Sequence, residues 1–354
     1  MTVRLGLIGV GAIGQVHLGA ARGAGVKIAA VADLNEDQAG RIAKEFDIPR
    51  VHFDPQALID SDEVDAVIVA VPNLHHAPLA IAAMQAGKDV LVEKPMALTV
   101  AECDRMLDAA RRHDRVLQVG FVERGSAVAE TARAFIESER LGRLYHIKAN
   151  YYRRRGIPGL GGWFTTKAMS GGGPLIDIGV HVIDLVMHLA GFPKVKRVSG
   201  QVYANFGPRM KNYVFENMWA GPPRLDGVCD VEDAAHALVR LEGGVTMELN
   251  AAWAGNFPAG SVQNLLGLFG DKGGITFQLA GDEVRIATEE QGHNVDLIPA
   301  LRPAEKFQQQ LKRFVHSVKT REKPFATGEE GRAVQSIIEA VYRSSEAGRE
   351  VEVE

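Results

Sequence analysis

Asp177, His181 and Asp184 recur at positions i, i+4 and i+7 directly behind Gly171-Gly172-Gly173-Pro174. On a helix that spacing puts all three on one face. The residues around them (Leu175, Ile176, Val180, Val182, Ile183, Leu185 and Val186) are apolar, so the helix is predicted to be buried. A buried imidazole beside a carboxylate is an acid/base pair suited to chemistry near neutral pH. The structural alternative is a core histidine satisfied by capping aspartates. What decides between them is whether the rest of the chain supplies something for a base to work with.

The N-terminal third does. Residues 3–8, Val-Arg-Leu-Gly-Leu-Ile, read as a short apolar strand. Gly9-Val10-Gly11-Ala12-Ile13-Gly14 follows at once, ahead of a helical stretch from Gln15 to Ala24. This is GxGxxG in its strand-to-helix setting. Gly9 permits the tight turn. Gly11 lets the backbone N–H groups of the loop, Ala12 and Ile13 included, approach a pyrophosphate, and Gly14 lets helix and strand pack closely. A second strand, Val26 to Ala32, ends at Asp33, whose carboxylate can accept hydrogen bonds from an adenosine ribose and would repel a 2′-phosphate. No Arg or Lys lies between Leu34 and Asp37, which favours NAD over NADP. The competing role for Asp33 is a plain helix N-cap.

The elements that must position these groups follow from the pattern downstream. Helix Glu36 to Phe46, a short helix after Pro55, strand Ala66 to Val71, helix His76 to Ala86, strand Asp89 to Val92, helix Val100 to His113 and strand Val116 to Gly120 continue the alternation. The expectation is an α/β fold with a Rossmann, doubly wound sheet of six parallel strands. Ligands of such sheets sit beyond the carboxyl ends of the strands. The segments to watch are therefore Val71-Pro72-Asn73-Leu74-His75-His76, Glu93-Lys94-Pro95 and Gln118-Val119-Gly120.

At 354 residues, 46% hydrophobic and 24% charged, the chain is ordinary globular material with enough length for two domains. A net charge of -4 argues against nucleic-acid or membrane-surface partners, which call for a clustered basic face. The one basic run, Arg153-Arg154-Arg155 after Tyr151-Tyr152, is either a solvated edge or an anion or substrate contact. Cys103 and Cys229 form no CxxC pair, so neither a disulfide framework nor a zinc ribbon is expected. With no leader-like N-terminus and no run of about 18 apolar residues, a cytoplasmic protein is the expectation. No metal site is expected: His181, Asp184 and His188 share a face and His75 and His76 are adjacent, but no recognisable zinc ligand spacing completes either group. A GxSxG elbow for serine hydrolysis is absent from the sequence.

Taken together, Gly9 to Gly14 after the first strand, Pro72-Asn73 with His76, Glu93-Lys94-Pro95, and Gly171 to Asp184 with its Asp-x-Gly-x-His core resemble the Gfo/Idh/MocA family of NAD(P)-dependent oxidoreductases, along essentially the whole chain. The resemblance implies a Rossmann domain at 1–123, followed at 124–354 by a substrate-binding and oligomerisation α/β domain with a large, mostly antiparallel sheet. It also implies late helices that pack back on the first domain, and a homodimer or homotetramer. One stretch departs from the pattern. After Gln118-Val119-Gly120-Phe121, relatives commonly carry an Asn-Arg-Arg-like run, and this chain has Val122-Glu123-Arg124-Gly125.

Carried onto this chain, the resemblance puts Asp177 and His181 at the reactive centre and implies a cis Lys94-Pro95 bond. His181 is the candidate base and Asp177 orients it or holds a substrate hydroxyl. Lys94 can hydrogen-bond the reacting oxygen as its proton leaves; a surface pair with Glu93 is its alternative. Pro72, Asn73, His76 and Glu93 are placed at the nicotinamide ribose, with Gln118 a weaker cofactor candidate and helix capping the alternative for Asn73. A carbohydrate or cyclic polyol suits a site of Asp, His, Lys and Arg, with Tyr152, Arg153 and Trp163 as substrate contacts or core packing. An NAD-dependent glycosidase using transient hydroxyl oxidation would need the same residues. A non-catalytic NAD or sugar sensor would need no base at all.

Overall fold

The computed structural model describes residues 3–216, 219–261 and 264–353. The chain divides into two compact units, one holding the residues up to Val122 with Glu305–Gln335 and the other holding Glu123–Ala304 with Ser336–Glu354.

In the first unit, β1 (Leu5–Ile8), α1 (Ala12–Ala24), β2 (Ile28–Ala32), α2 (Glu36–Glu45), β3 (Arg50–His52), α3 (Pro55–Ile59), β4 (Ala66–Val69), α4 (His76–Gln85), β5 (Asp89–Val92), α5 (Val100–Arg112) and β6 (Leu117–Val119) alternate along the chain. The strands pair in parallel in the order β3-β2-β1-β4-β5-β6. Every residue of β1, β4 and β5 is buried, which is why these strands are short apolar runs rather than alternating ones. Helix starts are written into the sequence: Asn35 accepts from Gln38 N–H at α2, and Thr99 accepts from Glu102 N–H at α5. Strand order reverses between β1 and β4, so the loops after β1, β4 and β5 gather at one crevice.

The late segment belongs here because it completes the core. Leu311 and Phe314, on the helix Lys306–Thr320, are buried in the same cluster as Val3, Leu18 and Ile42. Gln118 is fully buried, donating to Gln310 O at 3.4 Å and accepting from Phe325 N–H at 3.3 Å. Its amide thus ties the late segment to β6, a structural use in place of the cofactor contact expected from the sequence.

The second unit contains α6 (Ala127–Glu137), β7 (Leu144–Tyr152), α7 (Lys167–Ser170), α8 (Val180–Leu189) and β8 (Val195–Tyr203). There follow β9 (Ala234–Leu241), β10 (Thr246–Ala252), β11 (Leu265–Gly270), β12 (Gly273–Gln278), β13 (Val284–Glu290), β14 (His293–Leu297) and β15 (Val351–Glu352). They form one sheet, β14-β13-β12-β11-β7-β10-β9-β8-β15, antiparallel except for the β7–β10 pair. β13 and β14 were not foreseen, because only Val284 and Ile286 of the two are buried and their pattern is that of a solvated edge. Lys167–Leu189 is apolar enough by composition to cross a membrane, yet most of it is buried inside this unit.

The helix carrying the Asp177 motif is not a plain α-helix. Leu175–Gly179 form a π-turn that runs into α8, and the wider turn changes the rotation between successive side chains. Of the three residues expected to share a face, Asp184 is committed to another charged side chain. Asp184 is 1% exposed and takes both Nε and Nη2 of Arg124, the shortest contact being 2.6 Å. Arg124, the residue from the departing loop, stands over the Phe192 ring. Asp184→Ala would leave that guanidinium buried without its carboxylate, and a loss of about 3–5 kcal/mol is expected in urea denaturation. Arg124→Met combined with Asp184→Leu should recover most of it; full loss in the double variant would show that the pair is not the source.

Candidate active site

In the first unit the glycine loop is built for close approach. A Cβ on Gly14 would fall 2.1 Å from Gly9 O, and one on Gly9, at φ +93°, 2.3 Å from Ala70 O. A Cβ on Gly11 meets no heavy atom within 4 Å. The outer glycines are therefore required by the fold, while Gly11 borders open space at the N-terminus of α1, where no side chain caps the first turn. That is the cradle a dinucleotide pyrophosphate needs, with the N–H groups of Ala12 and Ile13 in that turn. Val10 is pinned from three sides: its N–H donates to Asp33 Oδ2 at 2.9 Å, and its carbonyl accepts from Gln15 Nε2 and Gln38 Nε2.

Asp33 stands at the end of β2, partly exposed, with Oδ1 accepting from Asn35 N–H at 2.9 Å. The residue that caps α2 is Asn35, so the capping alternative for Asp33 falls away. Its carboxylate both holds the glycine loop and keeps lone pairs for a ribose. Pro72 and Asn73 lead into a short 3-10 turn, Asn73–His75, ahead of α4, whose N-cap position belongs to His75.

His76 differs from expectation. Its ring is buried, with Nδ1 2.7 Å from Pro95 O and Nε2 2.8 Å from Val71 O. Burial pushes its pKa below the ordinary imidazole value, against the pull of those two carbonyls. The imidazole clamps the Pro95 loop to the loop after β4 instead of presenting a nitrogen to a cofactor. Lys94 itself is half-buried and its bond to Pro95 is cis. Glu93 is 6% exposed; Oε1 lies 2.7 Å from His17 Nε2 and Oε2 accepts from Lys94 N–H at 3.1 Å. Burial acts to raise the Glu93 pKa, but the hydrogen bond and charge of His17, aided by Lys94, outweigh it and hold the carboxyl below its usual range. Both oxygens are engaged inside the unit, so Glu93 fastens its loop to α1.

In the second unit Asp177 is 5% exposed and its Oδ2 accepts from the indole Nε1–H of Trp253 at 3.0 Å. Half-buried His181 follows in the first turn of α8. The glycine-rich lead into the π-turn is held by Glu232, whose carboxylate accepts from Gly173 N–H, Leu175 N–H and the Tyr342 hydroxyl at 2.9–3.2 Å. A Cβ on Gly173 would lie 1.9 Å from Glu232 O. Burial keeps the Glu232 pKa above its usual value even though these donors act to lower it.

Strand alternation sorts the tyrosines. Tyr151 packs with Ile178, Ala251 and Trp253, on the Asp177 side of the sheet, and Arg153 stands over its ring. Tyr152, one residue on, faces the opposite side beside His236 and Phe257, and burial with the Glu248 charge pushes its hydroxyl pKa up to about 12. Tyr152, a substrate-contact candidate in the sequence, thus faces away from the Asp177 side, since neighbouring residues of a strand point oppositely. Trp163 stacks on Phe164 with centroids 3.7 Å apart. Trp253, Glu232, Tyr342 and His17 were missed; a hydrogen bond across more than fifty residues has no local sequence signal. Among the described residues, no group of three or more His, Cys, Asp or Glu could hold a metal ion. A cleft of about 970 Å³ opens by β11–β14, lined by Tyr145, Phe269 and Arg285 among others, and none of the groups assigned chemistry lines it.

The parallel sheet with its fitted glycine cradle is the equipment of a dinucleotide-binding domain. Residues 3–121 match the family model for the oxidoreductase family with an NAD-binding Rossmann fold, and residues 129–276 match that for the GFO/IDH/MocA C-terminal domain. The chain belongs to the Gfo/Idh/MocA family, and its first unit contains an NAD-binding Rossmann domain. It is 31% identical over 329 residues to D-glucoside 3-dehydrogenase of Escherichia coli (strain K12), covering 93% of this chain and 90% of that protein. It is 25% identical to myo-inositol 2-dehydrogenase of Thermotoga maritima over 99% of both. Among solved structures, an oxidoreductase domain protein from Kribbella flavida superposes with a TM-score of 0.86 at 25% identity over the full length of both chains.

The glycine loop yields a paired test. Gly11→Ala should leave the cofactor-free melting temperature unchanged and weaken NAD binding about tenfold or more in a calorimetric titration, because its Cβ enters the cradle. Gly14→Ala should lower the melting temperature itself. Unchanged NAD affinity in Gly11→Ala would move the pyrophosphate elsewhere.

Proposed function

We propose that this protein moves a hydride between a secondary hydroxyl of a sugar, glycoside or cyclic polyol and NAD. The observation that carries the reading is Asp177, buried in a π-turn and held by Trp253, one turn ahead of a half-exposed His181. An ionisable pair in an apolar helix needs a reason, and π-turns are frequent at functional sites. The names of the D-glucoside and myo-inositol dehydrogenases support hydroxyl-rich substrates.

NAD, held by Gly9 to Gly14 and Asp33 with Pro72 and Asn73 beside its ribose, supplies the hydride acceptor. The chain's own residues do the rest. His181 accepts the hydroxyl proton during oxidation and returns it in reduction. Asp177 orients the imidazole or holds a neighbouring hydroxyl, and Trp253 fixes Asp177. Lys94 donates to the reacting oxygen and stabilises negative charge there. Arg153 and Trp163 are the proposed substrate contacts; Tyr151 takes the place given to Tyr152. The two free cysteines, Cys103 buried and Cys229 half-buried, fit a reducing, cytoplasmic setting, and a homodimer or homotetramer is part of the proposal by family likeness.

The test is a panel of inositols, hexoses, uronic acids and glycosides with NAD and NADP, read by nicotinamide absorbance. NADH should form with at least one; silence throughout contradicts the reading, and glycoside cleavage without net NADH would favour transient-redox glycosidase chemistry. His181→Ala and Lys94→Ala should each lower turnover about a hundredfold or more while NAD binding survives; normal turnover removes the assigned role. Asp33→Ala should weaken NAD and relax discrimination against NADP, and an unchanged preference would leave Asp33 with the loop alone.

A further inference from the structure

His17 lies on α1, three residues past the last glycine of the cradle, and is completely buried on a face otherwise made of Gly14, Leu18, Ala20 and Ala21. An imidazole in that setting is costly unless it has a partner. It has one, Glu93, 2.7 Å from Nε2. Glu93 is the first residue after β5; its own N–H donates to Val69 O, and its second oxygen accepts the N–H of Lys94. The carboxylate has little room to shift, since a Cβ on Gly120 would come 3.0 Å from Glu93 Oε1 and 3.1 Å from its Cα. On the far side, the edge of the His17 ring meets Phe307 at 5.6 Å and 89°, and Nδ1 is buried with no hydrogen-bond partner. A carboxylate only accepts, so the hydrogen of this contact is carried by Nε2, which donates to Glu93 Oε1.

We propose that His17 is a positioning residue for Lys94. Through Glu93 it fixes the Lys94 peptide N–H, and so the point from which the ammonium side chain is launched. It also ties the helix that begins at the dinucleotide cradle to the loop that carries the electrophile. This rests on the role proposed above for Lys94. The chain of contacts is His17 Nε2–H to Glu93 Oε1, short and buried at 2.7 Å, then Glu93 Oε2 to Lys94 N–H, part-buried at 3.1 Å; one carboxylate makes both, so a break in the first is transmitted to the second.

Two substitutions separate positioning from bulk structure. Gln can place an amide N–H near the position of Nε2, whereas Asn is too short to reach Glu93. In the cofactor-free protein, amide exchange followed by NMR should show the Lys94 N–H exchanging about tenfold faster in His17→Asn and at the wild-type rate in His17→Gln. Turnover should fall about tenfold in His17→Asn with NAD affinity unchanged, be restored in His17→Gln, and fall no further when His17→Asn is added to Lys94→Ala, since the two act on one path. Wild-type exchange and turnover in His17→Asn beside a disabled Lys94→Ala would overturn the role of His17 alone. A loss that adds in full to Lys94→Ala would do the same. Wild-type turnover in Lys94→Ala would instead remove the lysine from the chemistry, and this role for His17 with it.

Discussion

A buried carboxylate stays charged only where donors replace the water it has lost, and that constraint organises this protein. Glu93 has His17 and the Lys94 N–H, Asp177 has the Trp253 indole, and Asp184 has the Arg124 guanidinium. Each donor comes from a different element than its carboxylate, or from the turn beyond it. Satisfying the charge therefore sets the geometry: a strand end is fastened to a helix, a π-turn to the residue after β10, and α8 to the segment before α6. Glu232 is the contrasting case. It gathers two backbone donors and a tyrosine hydroxyl, yet burial still leaves its pKa above the ordinary value.

The same constraint separates enclosed groups from partly exposed ones. In the first unit the clamps are fully buried: His17 spends Nε2, and His76 both ring nitrogens, on the protein itself. Lys94, between them in the chain's logic, is only half-buried. In the second unit Asp177 and Asp184 are buried on named partners while His181 is half-exposed. The roles proposed for Lys94 and His181 fit that difference, since a side chain that touches a substrate must be held without being enclosed.

Much of this was legible in the sequence wherever the signal is local. GxGxxG behind Leu5–Ile8, the apolar runs at Ala66–Val69 and Asp89–Val92, and the Asp177–His181 motif each depend on residues within a few positions of one another. What the sequence concealed depends on distance or on parity. Tyr151 and Tyr152 are equivalent as letters, and a one-residue register decides which faces Trp253. Asp184, by its letter a third member of the Asp177–His181 face, is committed to Arg124, sixty residues away in sequence. His76 and Gln118 occupy the expected segments at the strand ends, but their partners, Pro95 and the late residues Gln310 and Phe325, turn them into fasteners. β13 and β14 left little trace because the pair buries only Val284 and Ile286, too few residues to show a pattern.

The most direct measurement follows the hydrogen itself. Ring-carbon-deuterated methyl glucoside and myo-inositol would be turned over with unlabelled NAD, and the reduced nicotinamide weighed by mass spectrometry. Direct transfer from a carbinol carbon predicts that a single deuterium appears in the cofactor for whichever substrate is oxidised. Reduced cofactor without the label, or no reduced cofactor with any deuterated sugar or polyol, would contradict it.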